Sequence, residues 1–142
     1  MARISFGTYD GNYTPAWVGD YLTREHLLPG GARLDPDKFA AGPDGRKFVP
    51  SGTLVGRTFA DRAAGKGFGP VTITPGDPQG TIDQDELYLL VYDVYDAAVN
   101  PDCELYRHGG IVRENYLPGW DELDPLLQAA IRERYTTTIG AP

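Results

Sequence analysis

The stretch "LYLLVYDVYDAAV", residues 87–99, contains the longest apolar run of the chain and, at its end, two aspartates, Asp93 and Asp96. Its Val, Leu and Tyr content, and a length too short for a stable helix, predict a buried core strand within residues 86–96. Side chains alternate faces along a strand, so residues three apart point to opposite sides and do not share a proton or a metal ion. The strand is therefore expected to leave the core near Asp93. Asp96 and Asn100-Pro101 then form a turn in which aspartate accepts backbone hydrogen bonds.

Around this strand the chain is cut into short segments. Gly 18 and Pro 12 together make up 30 of 142 residues, about a fifth against an average of about 12 %. That spacing favours β-structure with many turns over a helical bundle. Strand-like signals begin at Arg33 with "RLDPDKF". They continue in "RKFVPSGTLVGRTF", residues 46–59, where "PSG" is a turn signature inside a short hairpin-like unit and Gly56 suggests a bend or bulge. Residues 60–84 are rich in loop signals around one short strand, "FGPVTI". "CELYRHGGIVREN", residues 103–115, reads as two strand pieces joined at Gly109 and Gly110 by a hairpin turn or bulge.

One helix is expected, in "DPLLQAAIRERY", residues 124–135. Asp124 is the N-cap, and Pro125 occupies the first helical position, where its missing N–H costs nothing. Leu127, Ala130, Ile131 and Tyr135 fall on one face, and Arg132 and Arg134 suit the negative end of the helix dipole. The following "TTTI" is β-prone and is expected to return to a sheet. The fold class is mainly β (α+β): a small domain over residues 33–142, with one helix in its C-terminal region and an extended N-terminal arm over residues 1–32.

Composition excludes several function classes. The formal charge is −7, and no run of three basic residues occurs, so a nucleic-acid partner is not expected. Cys103 is the one cysteine, which rules out an intramolecular disulfide and a cysteine-rich zinc site. The N-terminal residues lack an apolar core of signal-peptide length, and "LYLLVY" is too short to span a bilayer, so no membrane partner and a cytoplasmic site of synthesis are expected.

Neither a catalytic site nor a cofactor is expected. "GKGFG", residues 65–69, has the glycines of a phosphate loop, but Gly67 stands where Ser or Thr is required and no helix begins there. Asp77, Asp83, Asp85 and Glu86 lack the order of a calcium loop and read as a solvated charge run. His26 and His108 are too few for a histidine-rich metal site. Strand alternation puts Cys103 and His108, five residues apart, on opposite faces, so they form no nucleophile pair and His108 reads as structural.

Residues 1–32 combine Ile4, Phe6, Tyr9, Tyr13, Trp17 and Tyr21 with Gly and polar residues, without sustained periodicity. They hold too few aliphatics for a core and too many aromatics for a plain linker. Two readings stay open: the segment wraps its own domain, or it docks on a partner through Ile4, Phe6, Tyr9, Tyr13 and Trp17. Tyr116 and Trp120, in "YLPGWDELDP" before the helix, are likewise either anchors against the domain's own core or interface residues.

The order "VPSGTLVGRTF", a glycine-rich loop, "ELYLLVYDVYDAAV", "YRHGGIVREN" and a capped helix with a β-prone end resembles the head decoration (capsid cement) proteins of lambda-like tailed phages. The resemblance covers roughly residues 33–140 and rests on turns and apolar runs. It implies a tulip-like domain that forms a homotrimer on the outer surface of the virion head, at local three-fold positions. The N-terminal arm would add to an edge of the major capsid protein, with Ile4 and Phe6 filling pockets, and Tyr116 and Trp120 are candidates for the trimer or shell contact. The chain departs from the simplest family members in its longer arm, its longer 60–84 loop and its elaborate "PGWDELDP". Two other expectations stand beside this one. One is a small β-barrel ligand-binding module with Tyr88, Tyr92, Tyr95 and Tyr106 lining a pocket; the other is a trimeric protein of a phage tail or fibre.

Overall fold

The computed structural model describes residues 14–19 and 22–141. The strands β1 (Ala32–Arg33), β2 (Leu54–Arg57), β3 (Gly69–Pro70), β4 (Ile73–Thr74), β5 (Thr81–Ile82), β6 (Glu86–Leu90), β7 (Asp102–Cys103), β8 (Leu105–Tyr106), β9 (Ile111–Arg113) and β10 (Thr136–Thr138) are mostly two or three residues long. Two helices accompany them, α1 (Phe59–Ala63) and α2 (Pro125–Arg134). The domain is mainly β, and among the described residues its strands form one four-stranded and three two-stranded sheets without closing into a barrel.

The four-stranded sheet has the order β3-β2-β6-β8, and the apolar run at 87–91 lies in and just beyond its inner strand β6. Leu87, Leu89 and Val91 enter one half-core with Trp17, Val18, Tyr106, Val112 and Ile131. Leu90 enters another with Leu34, Val55, Phe68 and Leu105. A strand buried on both faces needs apolar side chains at every position, which is why the sequence reads as a continuous run rather than an alternation.

Strand β6 ends at Leu90, but the pairing does not. Leu54 faces Leu89 in the ladder, and Val49 faces Val94 in the same register five residues further along. Between them Pro50–Thr53 makes a tight turn, the Thr53 amide donating to the Pro50 carbonyl at 3.2 Å, and stays on the partner strand at Leu90, whose carbonyl accepts from the Gly52 amide and whose amide donates to the Thr53 carbonyl. The expected hairpin-like unit at 46–59 is therefore absent: both of its halves pair with residues 86–94. Gly56 sits in regular pairing opposite Leu87 and Gly69, not at a bulge.

Other expectations change for the same reason, that pairing is chosen by the tertiary fold. "RLDPDKF" yields one residue of β1, Arg33, an isolated bridge from Leu34 to Phe68, and then a 3-10 turn, Pro36–Lys38, capped by the Asp35 carboxylate on the Asp37 amide. "FGPVTI" splits between β3, which joins the main sheet, and β4, which pairs with β5. Helix α1 was not expected; the Thr58 hydroxyl caps it by accepting from the Asp61 amide at 3.0 Å. The Gly109-Gly110 joint makes no hairpin, because β8 pairs with β6 while β9 pairs in parallel with β10. Gly109 takes φ +91° at this change of sheet, and a Cβ on Gly110 would lie 2.4 Å from the Tyr106 ring.

Helix α2 follows its sequence signals. The Asp124 carboxylate accepts from the Leu126 amide at 2.9 Å, and Ala130, Ile131 and Tyr135 are buried in the first half-core with Leu127 packed against it. The Tyr135 hydroxyl donates to the Tyr106 carbonyl at 2.6 Å and accepts from the Leu89 amide, tying the helix end to the sheet. Burial pushes the Tyr135 phenol well above its ordinary range. Thr136–Thr138 then returns as β10, as expected.

Candidate functional site

Asp93 and Asp96 lie beyond β6 and each holds main chain. The Asp93 carboxylate accepts from the Ser51 amide at 2.6 Å. Ser51 in turn donates its hydroxyl to the Val91 carbonyl, so one serine and one aspartate extend the line of backbone bonds that Gly52 and Thr53 make to Leu90. Asp96 accepts from the Lys47 amide at 3.2 Å and the Ala98 amide at 3.1 Å. Its carbonyl accepts from the amides of Val99 and Asn100 in the turn that follows. Both carboxylates lie beyond the strand and accept main-chain amides as read from the sequence, but the chain does not leave the core at Asp93, because Val94 and Ala97 are buried in the second half-core.

The remaining polar groups weighed for chemistry are also engaged structurally. In "GKGFG" the amides of Gly65, Lys66 and Phe68 donate to the carbonyls of Arg62, Asp61 and Arg33. Gly67 is small because a Cβ there would lie 2.6 Å from the Arg33 carbonyl oxygen. Asp83 accepts from the hydroxyls of Thr74 and Thr72, which hold its carboxyl below the usual range. Asp85 accepts from the Phe59 amide, and Glu86 pairs with Arg57 and Arg62. Among the described residues no group of three or more His, Cys, Asp or Glu is placed to hold a metal ion.

His108 stacks on Tyr88 with ring centroids 4.5 Å apart, and its Nε2 lies 2.7 Å from the Leu87 carbonyl. His26 closes a capping box with Thr23. Burial, with the neighbouring carboxylates of Glu104 and Asp102, pushes the Cys103 thiol up to about 12, so at neutral pH it is a thiol and a poor nucleophile. The four tyrosines considered as a pocket lining are dispersed. Tyr92 borders a cleft of about 450 Å³ with Gly31, Asp93 and Cys103. Tyr106 is fully buried, Tyr88 is held between Phe68 and His108, and Tyr95 faces solvent.

No family model matches the chain, and neither a curated protein nor a solved structure does.

The residues expected to meet a partner separate into three groups. Ile4, Phe6, Tyr9 and Tyr13 lie outside the described residues. Trp17 and Trp120 are core residues, which corrects their assignment to an interface. Trp17 is 3 % exposed and meets Tyr106 edge-on at 5.3 Å. Trp120 is buried, with the Arg132 guanidinium 5.2 Å from its ring. The domain boundary moves with Trp17. Val18 bridges Val112, the Leu28 amide donates to Leu105, and β1 pairs with β7, so residues 14–19 and 22–32 belong to the domain rather than to an arm. Tyr116 is half exposed, and its hydroxyl donates to the Ala141 carbonyl.

The sequence reading placed Tyr95 in a pocket lining and did not bring it together with Phe48 as an exposed pair. Phe48 is 50 %, Tyr95 69 % and Val99 80 % exposed. The rings of Phe48 and Tyr95 lie 6.0 Å apart, beside the buried Val49–Val94 bridge, and Val99 sits on the adjoining turn. The signal was period-two alternation: once Val49 and Val94 are known to face inward, their neighbours face outward. That inference needed the Val49–Val94 pairing, which local sequence does not display.

Proposed function

We propose that the chain is a capsid cement protein. It binds the outer surface of a tailed-phage head at local three-fold positions as a homotrimer, with the major capsid protein as its other partner. The observation that carries this reading is the exposed Phe48–Tyr95 pair, with Val99 exposed on the turn that follows, on a domain whose aspartates and histidines largely hold its own backbone. Large apolar side chains left in water mark contact surfaces. A role built from many weak contacts, repeated over a shell, needs such a surface and gains a large summed effect from small individual ones. The order of strand, acidic strand exit, capped helix and returning β-prone end supports the same reading. The N-terminal segment, now residues 1–13, brings Ile4 and Phe6 in a β-prone stretch suited to strand addition.

The test is co-sedimentation of the purified full chain with expanded, undecorated heads. Saturation at three copies per local three-fold position, lost when residues 1–13 are removed from a chain that keeps its thermal melt, is the expected result. Absence of pelleting with heads whose three-fold positions are vacant overturns the reading.

A further inference from the structure

The two histidines of the chain, far apart in sequence, line one cleft. Residues 26–28 are laid along residues 105–107. Leu27 bridges Tyr106, the Leu28 amide donates to the Leu105 carbonyl at 2.9 Å, and the Arg107 amide donates to the His26 carbonyl at 2.7 Å. Beside that pairing lies a cleft of about 380 Å³, lined by Glu25, His26, Arg107, His108 and the segment that follows to Ile111. Aromatic rings hold both imidazoles in place. His26 stacks on Tyr106 at 6.3 Å, and His108 lies on Tyr88 at 4.5 Å and edge-on to Tyr135 at 5.6 Å.

The hydrogen bonds at each ring decide what it offers a ligand. The Thr23 amide donates to Nδ1 of His26 at 3.1 Å, so in the neutral ring Nδ1 has no proton and Nε2 carries it. Nε2 of His108 lies 2.7 Å from the Leu87 carbonyl oxygen, which can only accept. The proton of that neutral ring is therefore on Nε2, and Nδ1 keeps a lone pair. Neither Nε2 of His26 nor Nδ1 of His108 has a partner among the described residues. Arg107 uses one N–H on the Glu25 carbonyl, at 3.2 Å, and makes no ion pair among the described residues. The cleft thus offers a positive charge with several N–H groups at Arg107, one N–H at His26 and one acceptor at His108. Glu25 is the acidic residue of its wall.

A ligand that satisfies this set is an anion that keeps one hydroxyl. A carboxylate or a sulfate ion brings acceptors only and sets an oxygen against the His108 lone pair. Hydrogen phosphate has the charge and shape of sulfate, with oxygens for Arg107 and His26 and one O–H to donate. Bonds from a guanidinium to phosphate oxygens are charge-assisted and among the stronger kind. A phosphate monoester gives up its last proton at about pH 6, so in neutral and mildly alkaline water the inorganic ion keeps the hydroxyl and the ester does not.

We propose that this cleft is a site for inorganic hydrogen phosphate. Arg107 and the Nε2–H of His26 donate to its oxygens, and its hydroxyl donates to Nδ1 of His108. A single proton then separates phosphate from sulfate. The site shares no residue with the Phe48–Tyr95 surface and stands independently of the capsid reading.

The test follows the histidine ring nitrogens of the full, nitrogen-15-labelled chain by NMR at pH 8, where histidine in water is neutral. Sodium phosphate, sodium sulfate and glycerol 3-phosphate are titrated in at matched ionic strength. Phosphate is expected to shift Nε2 of His26 and Nδ1 of His108 saturably, and the other two anions to act at least tenfold more weakly. Arg107→Gln should weaken phosphate binding at least tenfold. Glu25→Gln, at an exposed carboxylate, should tighten it, and this variant carries the test if the first does not fold. Equal responses to phosphate and sulfate would mean an adventitious ion only and overturn the proposal. So would a response to glycerol 3-phosphate equal to that of phosphate, no shift of either nitrogen at tens of millimolar phosphate, or an affinity that neither variant changes.

Discussion

The indole N–H of Trp17 donates to the hydroxyl oxygen of Ser51 at 2.9 Å. That hydroxyl donates in turn to the Val91 carbonyl, and the Ser51 amide is held by Asp93. A residue from the segment expected to be an arm is thereby fastened to the Pro50–Thr53 turn beside the main sheet. Trp17→Ala should cost about 3–5 kcal/mol, the range for removing a buried aromatic. Deletion of residues 1–32 should abolish cooperative unfolding, while deletion of 1–13 keeps it. Urea denaturation of the three proteins followed by tryptophan fluorescence checks this, and a cooperative transition in the 1–32 deletion would show that Trp17 is dispensable.

Asp93 acts as a hydrogen-bond acceptor for main chain. Asp93→Ala should destabilise by about 0.5–1 kcal/mol through loss of the exposed hydrogen bond to the Ser51 amide, and Asp93→Asn, which keeps an acceptor oxygen, by less. Chemical denaturation distinguishes the two; equal losses would mean that the carboxylate's charge matters more than its oxygen.

Glu114 is buried and receives two hydrogen bonds from Arg132, at 3.0 and 2.8 Å. The Arg132 contact holds its carboxyl below the usual range. A folded-state value below the unfolded one, about 4.3, means that the pair's contribution is fully present above that pH and is lost as pH falls through the lowered value. Wild type should therefore exceed Glu114→Gln in stability at pH 6, with the gap closing toward pH 2.5. Melting curves across that range measure it, and a gap independent of pH would remove the ion pair as its source.

With its thiol pushed up to about 12, Cys103 carries little thiolate at pH 8. Native protein should react with a thiol-specific disulfide reagent about a hundredfold or more slower than protein unfolded in urea, where the thiol returns to about 8.5. Equal rates would place Cys103 in solvent.

Phe48→Ser and Tyr95→Ser each replace a side chain that is half or more exposed. Unfolding free energy should change by no more than about 0.5 kcal/mol, while head binding falls at least tenfold for the double variant. Undiminished binding would remove this cluster from the contact.

Local sequence is enough to say which stretches are apolar enough to be buried, where turns break them, and where α2 begins. These are local matters: Asp124 before Pro125 caps a helix whatever lies around it, and Val, Leu and Tyr without a polar alternation at 87–91 specify a strand covered on both faces. It also determined that Asp93 and Asp96 leave the strand, since carboxylates at those positions are satisfied most readily by turn amides. Which strand meets which is a matter of packing between distant segments. Val49 pairs with Val94 beyond the Pro50–Thr53 turn, β9 with β10 in parallel, and Val18 with Val112, each joining residues far apart in the chain by backbone groups that every residue possesses. Because those groups carry no residue identity, partner choice follows from how the two half-cores pack. That packing is what placed Trp17 and Trp120 inside and left Phe48, Tyr95 and Ile139 in solvent.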